Sequence, residues 1–312
     1  MSRAFVFPGQ GAQTIGMGKA LADAYPAARA VFEEVDDALG EPLSHLIWEG
    51  DIETLTLTQN AQPALMATSM AVMRAMDAEG VTIADASFVA GHSLGEYSAL
   101  AAAGALSVSD AARLLRARGQ AMQEAVPVGV GAMAALLGLD LDTVRSVAEE
   151  AAGDQVCQAA NDNDPAQVVV SGHKEAVERA IEIAKEKGAK RAVLLPVSAP
   201  FHCALMAPAA EVMAEALGAV EIKAPAVPVI ANVLAAPESD PARIQELLVE
   251  QITGAVRWRE SVLEMGNQGV SEIWEIGAGK ALSGMIRRIN RDIATKNIAT
   301  PDDVQAAAED MT

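Results

Sequence analysis

The five residues Gly91-His92-Ser93-Leu94-Gly95 carry the strongest chemical signal in this chain of 312 residues. An apolar stretch, Ala86 to Ala90, precedes them and an Ala-rich one, Glu96 to Ala103, follows, so the segment reads as strand, sharp turn and helix. The flanking glycines let the backbone reverse and leave the Ser93 hydroxyl exposed at a helix N-terminus. The Leu94 N–H then points to where an oxyanion would develop. Such a serine suits covalent acyl transfer. The same pentapeptide also suits a tight turn in which Ser93 only caps the helix.

A serine nucleophile requires a base, and the chain has four histidines, His45, His92, His173 and His202. His92 adjoins Ser93 and is expected to point away from it. His45 falls in an amphipathic helix, and His173 begins a helix behind Ser171, a suitable N-cap. His202, in the loop Ser198-Ala199-Pro200-Phe201-His202, is left as the general base by elimination. An α/β-hydrolase would carry an acid between serine and histidine in chain order, but the acids there fall in surface-like helices or in the middle unit described below. The residues alone therefore define a Ser93-His202 dyad. With Arg113 and Arg116 close by, Arg118 reads from the residues alone as an exposed helix arginine. Gly277-Ala278-Gly279-Lys280 looks like a phosphate loop, yet Ala281 replaces the required Ser or Thr and Trp274 stands where the first glycine belongs. A plain strand-to-helix turn is expected there. Cys203 has no elbow around it and reads as a small buried residue.

The elements that must position these groups alternate between strands and helices. A strand at Ala4 to Phe7 leads into Gly9-Gln10-Gly11. Helices are expected around Ala27 to Leu39 and Ala61 to Glu79, with Pro63 in a first helical turn. After Pro200 the periodicity predicts helices Leu205 to Leu217, Pro241 to Thr253 and Arg259 to Gly266, with strands Val227 to Ala231 and Glu272 to Ile276. The tail from Ala299 reads as a short surface helix or a frayed end. Between the two halves lies a unit with its own rhythm: strand Ala132 to Leu139, helix Asp142 to Ala152, strands Val156 to Ala160 and Gln167 to Ser171, helix Lys174 to Lys187, and strand Arg191 to Val197. Asn161-Asp162-Asn163-Asp164-Pro165 reads as the turn between its middle strands. The order βαββαβ is that of a ferredoxin-like sheet. The prediction is therefore an α/β-hydrolase-like core of residues 1–127 and 198–312 with a ferredoxin-like subdomain, 128–197, inserted in it.

Composition narrows the partners. Lys plus Arg number 23 and Asp plus Glu 42, a net charge of −19, which argues against nucleic acid and anionic membrane surfaces. Aromatic residues are only 3%, so the core must be built from small aliphatic side chains in close contact. Two cysteines, Cys157 and Cys203, provide neither a disulfide framework nor a four-Cys zinc site and suit a reducing cytoplasm. The N-terminus shows no long apolar signal-peptide core. The most apolar uncharged run, Ala125 to Leu139, is broken by Pro127, Gly129, Gly131 and Gly138 and does not read as a membrane span.

Five motifs taken together resemble one family. Phe7-Pro8-Gly9-Gln10-Gly11-Ala12-Gln13, Gly91-His92-Ser93-Leu94-Gly95-Glu96-Tyr97, Arg118-Gly119, Pro200-Phe201-His202, and Gln251 before Val256-Arg257-Trp258 are similar to the malonyl-CoA:acyl carrier protein transacylases of type II fatty acid synthesis. The resemblance spans nearly the whole chain. It implies that Ser93 accepts the acyl group, that His202 is its base, and that the Gln251 backbone carbonyl orients the imidazole in place of an acid. It further implies an oxyanion hole from the N–H groups of Gln10 and Leu94, a carboxylate-reading role for Arg118, and pocket positions for Asn161 and Phe201. Malonyl-CoA and an acyl carrier protein would be the partners of a cytoplasmic monomer that needs no metal or redox cofactor. A serine esterase using the same dyad, a polyketide-pathway acyltransferase, and a non-catalytic scaffold are the alternatives. Acyl carrier proteins are generally acidic, so docking on so acidic a protein needs local basic patches. The candidates are Arg113, Arg116 and Arg118; Lys185, Lys187, Lys190 and Arg191; and Lys280, Arg287, Arg288, Arg291 and Lys296.

Overall fold

The computed structural model describes residues 2–311 and has a mixed α/β architecture with two sheets. In chain order the strands are β1 (Ser2–Phe7), β2 (Phe88–Gly91), β3 (Gly131–Leu137), β4 (Cys157–Asp164), β5 (Gln167–His173), β6 (Arg191–Leu194), β7 (Val229–Ile230), β8 (Pro237–Glu238), β9 (Val270–Ile276) and β10 (Ala294–Ile298). Six of them form one sheet in the order β10-β9-β1-β2-β7-β8, and four form another in the order β4-β5-β3-β6. The first is parallel except for its edge pair, β7 with β8, and the second is antiparallel throughout. No helix among the described residues is long and apolar enough to cross a membrane.

Strand β1 is apolar on both faces, and this places it in the middle of the larger sheet. Phe5 and Phe7 enter one core cluster, Ala4 and Val6 another, as a parallel strand covered on both sides requires. Its register with β2, Ala4 opposite Phe88 and Phe7 opposite Gly91, ends both strands at the same level. The Pro8-Gly9-Gln10 loop and the Ser93 turn therefore leave the carboxyl edge of the sheet side by side, where open α/β sheets bind ligands. Against one face packs the long helix Thr58–Ala78, lined by buried alanines and methionines. Pro63 is its sixth residue and not in the first turn: the helix starts earlier than expected because Asn60 and Ala61 already donate to the Leu57 carbonyl. Helix Val108–Glu124 lies against it so closely that a Cβ on Gly119 would stand 2.5 Å from the Gln59 Cα.

The inserted unit has the expected βαββαβ order and its own apolar cluster between the sheet and helices Leu141–Ala152 and Lys174–Glu186. One expectation fails there. Asn161 to Asp164 are the end of strand β4, not a turn, and all four are buried. The side chains of the last three are satisfied by tertiary partners, and Asn161 lines a cavity. Asp162 pairs with Arg259, Asp164 with Arg288, and Asn163 with His92, while Asp162 N donates to Val256 O and Val256 N to Ala160 O. Local turn preference is outweighed because Asp162, Asn163 and Asp164 each find a donor or acceptor outside the strand.

A further element was not foreseen, strand β10. Helix Ala281–Ile289 follows the glycine turn, and of the two readings of the tail the structure has the short helix, Pro301–Glu309, closed by a Thr300/Asp303 capping box. The Gly277-to-Lys280 segment is a strand-to-helix turn as expected. Its helix N-terminus is occupied by the buried Glu275 carboxylate, which accepts from Leu282 N, Ser283 N and Ser283 Oγ, so no phosphate is needed there. His173, not Ser171, is the N-cap of helix Lys174–Glu186, and its Nδ1 accepts from Val156 N.

Gly119→Ala is expected to lower the unfolding free energy by about 2 kcal/mol, because its methyl meets backbone on the facing helix and cannot be absorbed by a rotamer change. Urea denaturation checks this, and an unchanged midpoint would show that the two helices can separate freely.

Candidate active site

Ser93 occupies a left-handed backbone conformation, φ 54°, between β2 and helix Gly95–Ala102. The glycines around it are sterically obligatory. A Cβ on Gly91 would lie 1.9 Å from the Gly95 carbonyl, and one on Gly95 would lie 2.3 Å from the Phe7 oxygen. The strained turn is held from outside by Asn232, whose Oδ1 accepts from Ser93 N at 2.8 Å and whose Nδ2 donates to Gly91 O. Asn232 lies two residues beyond the short β7 and was not foreseen; nothing in its local sequence marks it.

His202 also has positive φ, 58°, and its Nε2 lies 2.8 Å from Ser93 Oγ. Its Nδ1 is 2.9 Å from the backbone oxygen of Gln251. A carbonyl can only accept, so Nδ1 carries the proton and Nε2 is left with a lone pair toward the hydroxyl. Burial, reinforced by the Arg118 charge, pushes the imidazole down to about 3. His92 points the other way, with Nε2 2.8 Å from Asn163 Oδ1 and its ring against Trp258. His45 is exposed beside Glu49.

Arg118 is not on the surface. It is 1% exposed and aims its guanidinium at the serine: one terminal nitrogen donates to Ser93 Oγ at 3.1 Å and to Gln251 Oε1 at 2.8 Å, the other to Gln62 Oε1 at 2.7 Å. Its Nε is buried without a partner among the described residues. Gln62, from helix Thr58–Ala78, is a second residue that sequence reasoning missed. Glu96 is a third. Its buried carboxylate accepts from Gln251 Nε2 and Asn232 N, and burial raises it to about 7. Its position within the run Gly91 to Tyr97 was the only signal available.

Ser93, His202 and Arg118 line a cavity of about 550 Å³ between the larger sheet and the insertion. Gln10, Leu94, Asn161 and Phe201 line it too, with Met133, Val169 and Val197 supplying the insertion's wall. Cys203 is fully buried with Sγ on the Pro200 carbonyl, and burial raises the thiol. No group of His, Cys, Asp and Glu among the described residues is arranged to hold a metal.

The basic clusters fare differently. Arg118 lies in the cavity, Arg116 is tied to Glu41 and Asn60, and Arg113 pairs with Asp110. Lys185 and Lys187 pair with Glu182 and Glu150. In the last cluster Arg288 is committed to Asp164 and Lys296 to Asp310. Lys280, Arg287 and Arg291 make no ion pair among the described residues, and Lys280 adjoins Ala281 in the cavity wall.

A serine held in a strained strand-to-helix turn, hydrogen-bonded to an imidazole that a main-chain carbonyl orients, belongs to an acyl-transfer site. A family model described as acyl transferase domain matches residues 4–296; the chain belongs to that family. The malonyl CoA-acyl carrier protein transacylase of Bacillus subtilis (strain 168) is 50% identical over 309 residues, covering 99% of this chain and 96% of its own length. Among solved structures, an acyl-carrier-protein-S-malonyltransferase from Bartonella henselae superposes with a TM-score of 0.98 at 58% identity, covering 100% of this chain and 99% of its own. A malonyl-transacylase in complex with its type II PKS acyl-carrier protein superposes at 0.96 with 42% identity, covering 99% and 100%.

Two outcomes follow from the electrostatics. Replacing Arg118 with Ala removes a charge that depresses His202, so the imidazole midpoint is expected to move up toward its ordinary 6.5; nitrogen chemical shifts of the ring against pH read this directly. Stability is the second. The unfolded chain protonates His202 near pH 6.5 and the folded protein only near 3, so this group makes stability rise with pH across that window. Glu96 acts oppositely between 4.5 and about 7, since its folded carboxyl keeps a proton the unfolded chain releases. His202→Ala is therefore expected to flatten the rise between about pH 3 and 4.5, where only His202 of the two titrates, as measured by urea denaturation at stepped pH.

Proposed function

We propose that this chain carries a malonyl group from malonyl-CoA to the phosphopantetheine thiol of an acyl carrier protein through a malonyl ester on Ser93. The observation that supports this most is the buried Arg118 guanidinium 3.1 Å from the Ser93 hydroxyl. A planar cation beside a nucleophile favours an acyl group that ends in a carboxylate, because a neutral acetyl group leaves the charge unmatched.

In the first half-reaction Ser93 Oγ attacks the thioester carbonyl while His202 Nε2 takes its proton. The tetrahedral oxyanion is received by the N–H groups of Gln10 and Leu94, each donor being worth about 3 kcal/mol in the transition state. Collapse breaks the carbon–sulfur bond, and His202 returns the proton to the departing CoA sulfur. The carrier thiol then gives its proton to His202 and attacks the ester, and Ser93 leaves with that proton. Each step couples a proton transfer to attack at a carbonyl, so no metal or redox cofactor is called for. The Gln251 carbonyl holds the required tautomer without placing a second negative charge near the malonyl carboxylate. Asn161 and Phe201 shape the acyl end of the pocket, whose insertion wall excludes water from the ester.

The domain reading supports this division of labour: residues 1–127 and 198–312 form an α/β-hydrolase-like catalytic core, and 128–197 form a ferredoxin-like insertion that covers it. The insertion's strand order, β6-β3-β5-β4 with every pair antiparallel, supports the ferredoxin-like assignment. The family resemblance supports a cytoplasmic monomer, and the net charge of −19 argues against nucleic acid and anionic membrane partners. Lys280, Arg287 and Arg291, which make no ion pair among the described residues and of which Lys280 adjoins Ala281 in the cavity wall, are the cations proposed to meet an acidic carrier or the CoA phosphates. A polyketide carrier is the second reading, favoured by the similarity to the malonyl-transacylase bound to its type II PKS carrier.

Incubation with labelled malonyl-CoA is expected to place label on Ser93 and pass it to carrier thiol, and Ser93→Ala to abolish both. Label lost mainly to water would point to an esterase instead, and no label to a scaffold. Arg118→Ala is expected to lower kcat/KM for malonyl-CoA by about 100-fold while leaving acetyl transfer nearly unchanged. Reversing the charge of Lys280 and Arg287 together is expected to raise KM for the carrier with little change in kcat; unchanged steady-state kinetics for both substrates would rule this face out.

A further inference from the structure

We propose that Glu96 is a positioning residue that fixes the Gln251 side-chain amide, and through it holds the Arg118 guanidinium beside Ser93. The proposal rests on the carboxylate-reading role assigned to Arg118 above. Glu96 lies in the first turn of helix Gly95–Ala102 and is 1% exposed. Its Oε2 accepts from Gln251 Nε2 at 2.7 Å and from Asn232 N at 3.1 Å. The same Gln251 nitrogen also faces Ser93 O at 3.0 Å and Asn232 Oδ1 at 3.5 Å. On the other side, Gln251 Oε1 accepts from Arg118 at 2.8 Å.

An amide turned the other way would set its oxygen against those three acceptors and its NH2 against a guanidinium that can only donate. Of the three acceptors Glu96 makes the shortest contact, 2.7 Å against 3.0 and 3.5 Å, so its reach dominates the choice of orientation. Gln251 thereby divides its work. The main-chain carbonyl serves His202 and is independent of the amide's direction, while the side chain serves Arg118. Disturbing Glu96 is thus expected to weaken recognition of a carboxylate-bearing acyl group without disturbing the dyad.

Two substitutions separate reach from charge. Glu96→Asp keeps the charge but withdraws the oxygen by about 1.5 Å, one carbon–carbon bond; Glu96→Gln keeps an acceptor at the same reach and removes the charge. Initial rates of Ser93 acylation by labelled malonyl-CoA and labelled acetyl-CoA are compared, with thermal unfolding to establish that each variant is folded. Glu96→Asp is expected to lose about tenfold in kcat/KM for malonyl-CoA, mostly through KM, with acetyl-CoA within about threefold of the unaltered protein. Glu96→Gln is expected to stay within about threefold for both. Equal losses for the two thioesters in Glu96→Asp would show a packing role only and overturn the proposal, as would Glu96→Gln proving as damaging as Glu96→Asp. Arg118→Ala run in parallel keeps the two levels apart. If it loses malonyl preference while Glu96→Asp keeps it, Glu96 has no such role and the Arg118 reading stands; if Arg118→Ala keeps that preference, the site reading fails and this proposal with it.

Discussion

A guanidinium buried next to a serine hydroxyl must be stabilised without being neutralised. Desolvating the Arg118 charge costs several kcal/mol, and hydrogen bonds to a charged group return about 1.5 to 3 kcal/mol each. Three such bonds, to Gln62, Gln251 and Ser93, are enough to offset the cost, and all three acceptors are neutral. A carboxylate in direct contact would hold the arginine more firmly but would leave nothing for an incoming anion to pair with. Glu96 instead acts at one remove, its carboxyl accepting from the Gln251 amide whose oxygen in turn accepts from Arg118.

That one charge constrains its surroundings in every direction. It disfavours a protonated imidazole, which with burial keeps His202 neutral and suits it to accept a proton. It also dictates how near two helices must come. Arg118 reaches the site because Gly119 lets helix Val108–Glu124 touch the backbone of Thr58–Ala78, and that same helix carries Gln62. The orientation of His202 by a main-chain carbonyl fits the same logic, since a neutral group adds no second anion to the pocket.

The insertion is fastened to the core by polar contacts and by one small apolar seam. One apolar cluster is entirely its own, a second on the other face of its sheet is met by Phe201, which also packs on the main core, and β4 sends Asp162, Asn163 and Asp164 to Arg259, His92 and Arg288. The contact between His92 and Asn163 also turns the imidazole next to the serine away from it. Attachment of the insertion and the orientation of His92 are thus linked through one side chain.

The strand-turn-helix around Ser93, the alternating βα pattern, the βαββαβ order of the middle unit and the pairing of His202 with Ser93 were legible in the sequence. They rest on local rules: glycine where a Cβ would meet backbone, apolar periodicity, and the scarcity of histidine. The burial of Arg118, the run Asn161 to Asp164 as strand, and the parts taken by Gln62, Glu96, Asn232 and Glu275 were decided only by the tertiary structure. Each is a polar group whose local preference is for solvent or a turn, and each is buried because a partner dozens of residues or more away, or across a strand-to-helix turn for Glu275, meets its hydrogen-bonding needs. Patterning reports where apolar side chains go, but the pairing of buried polar groups depends on which chain segments the fold brings together.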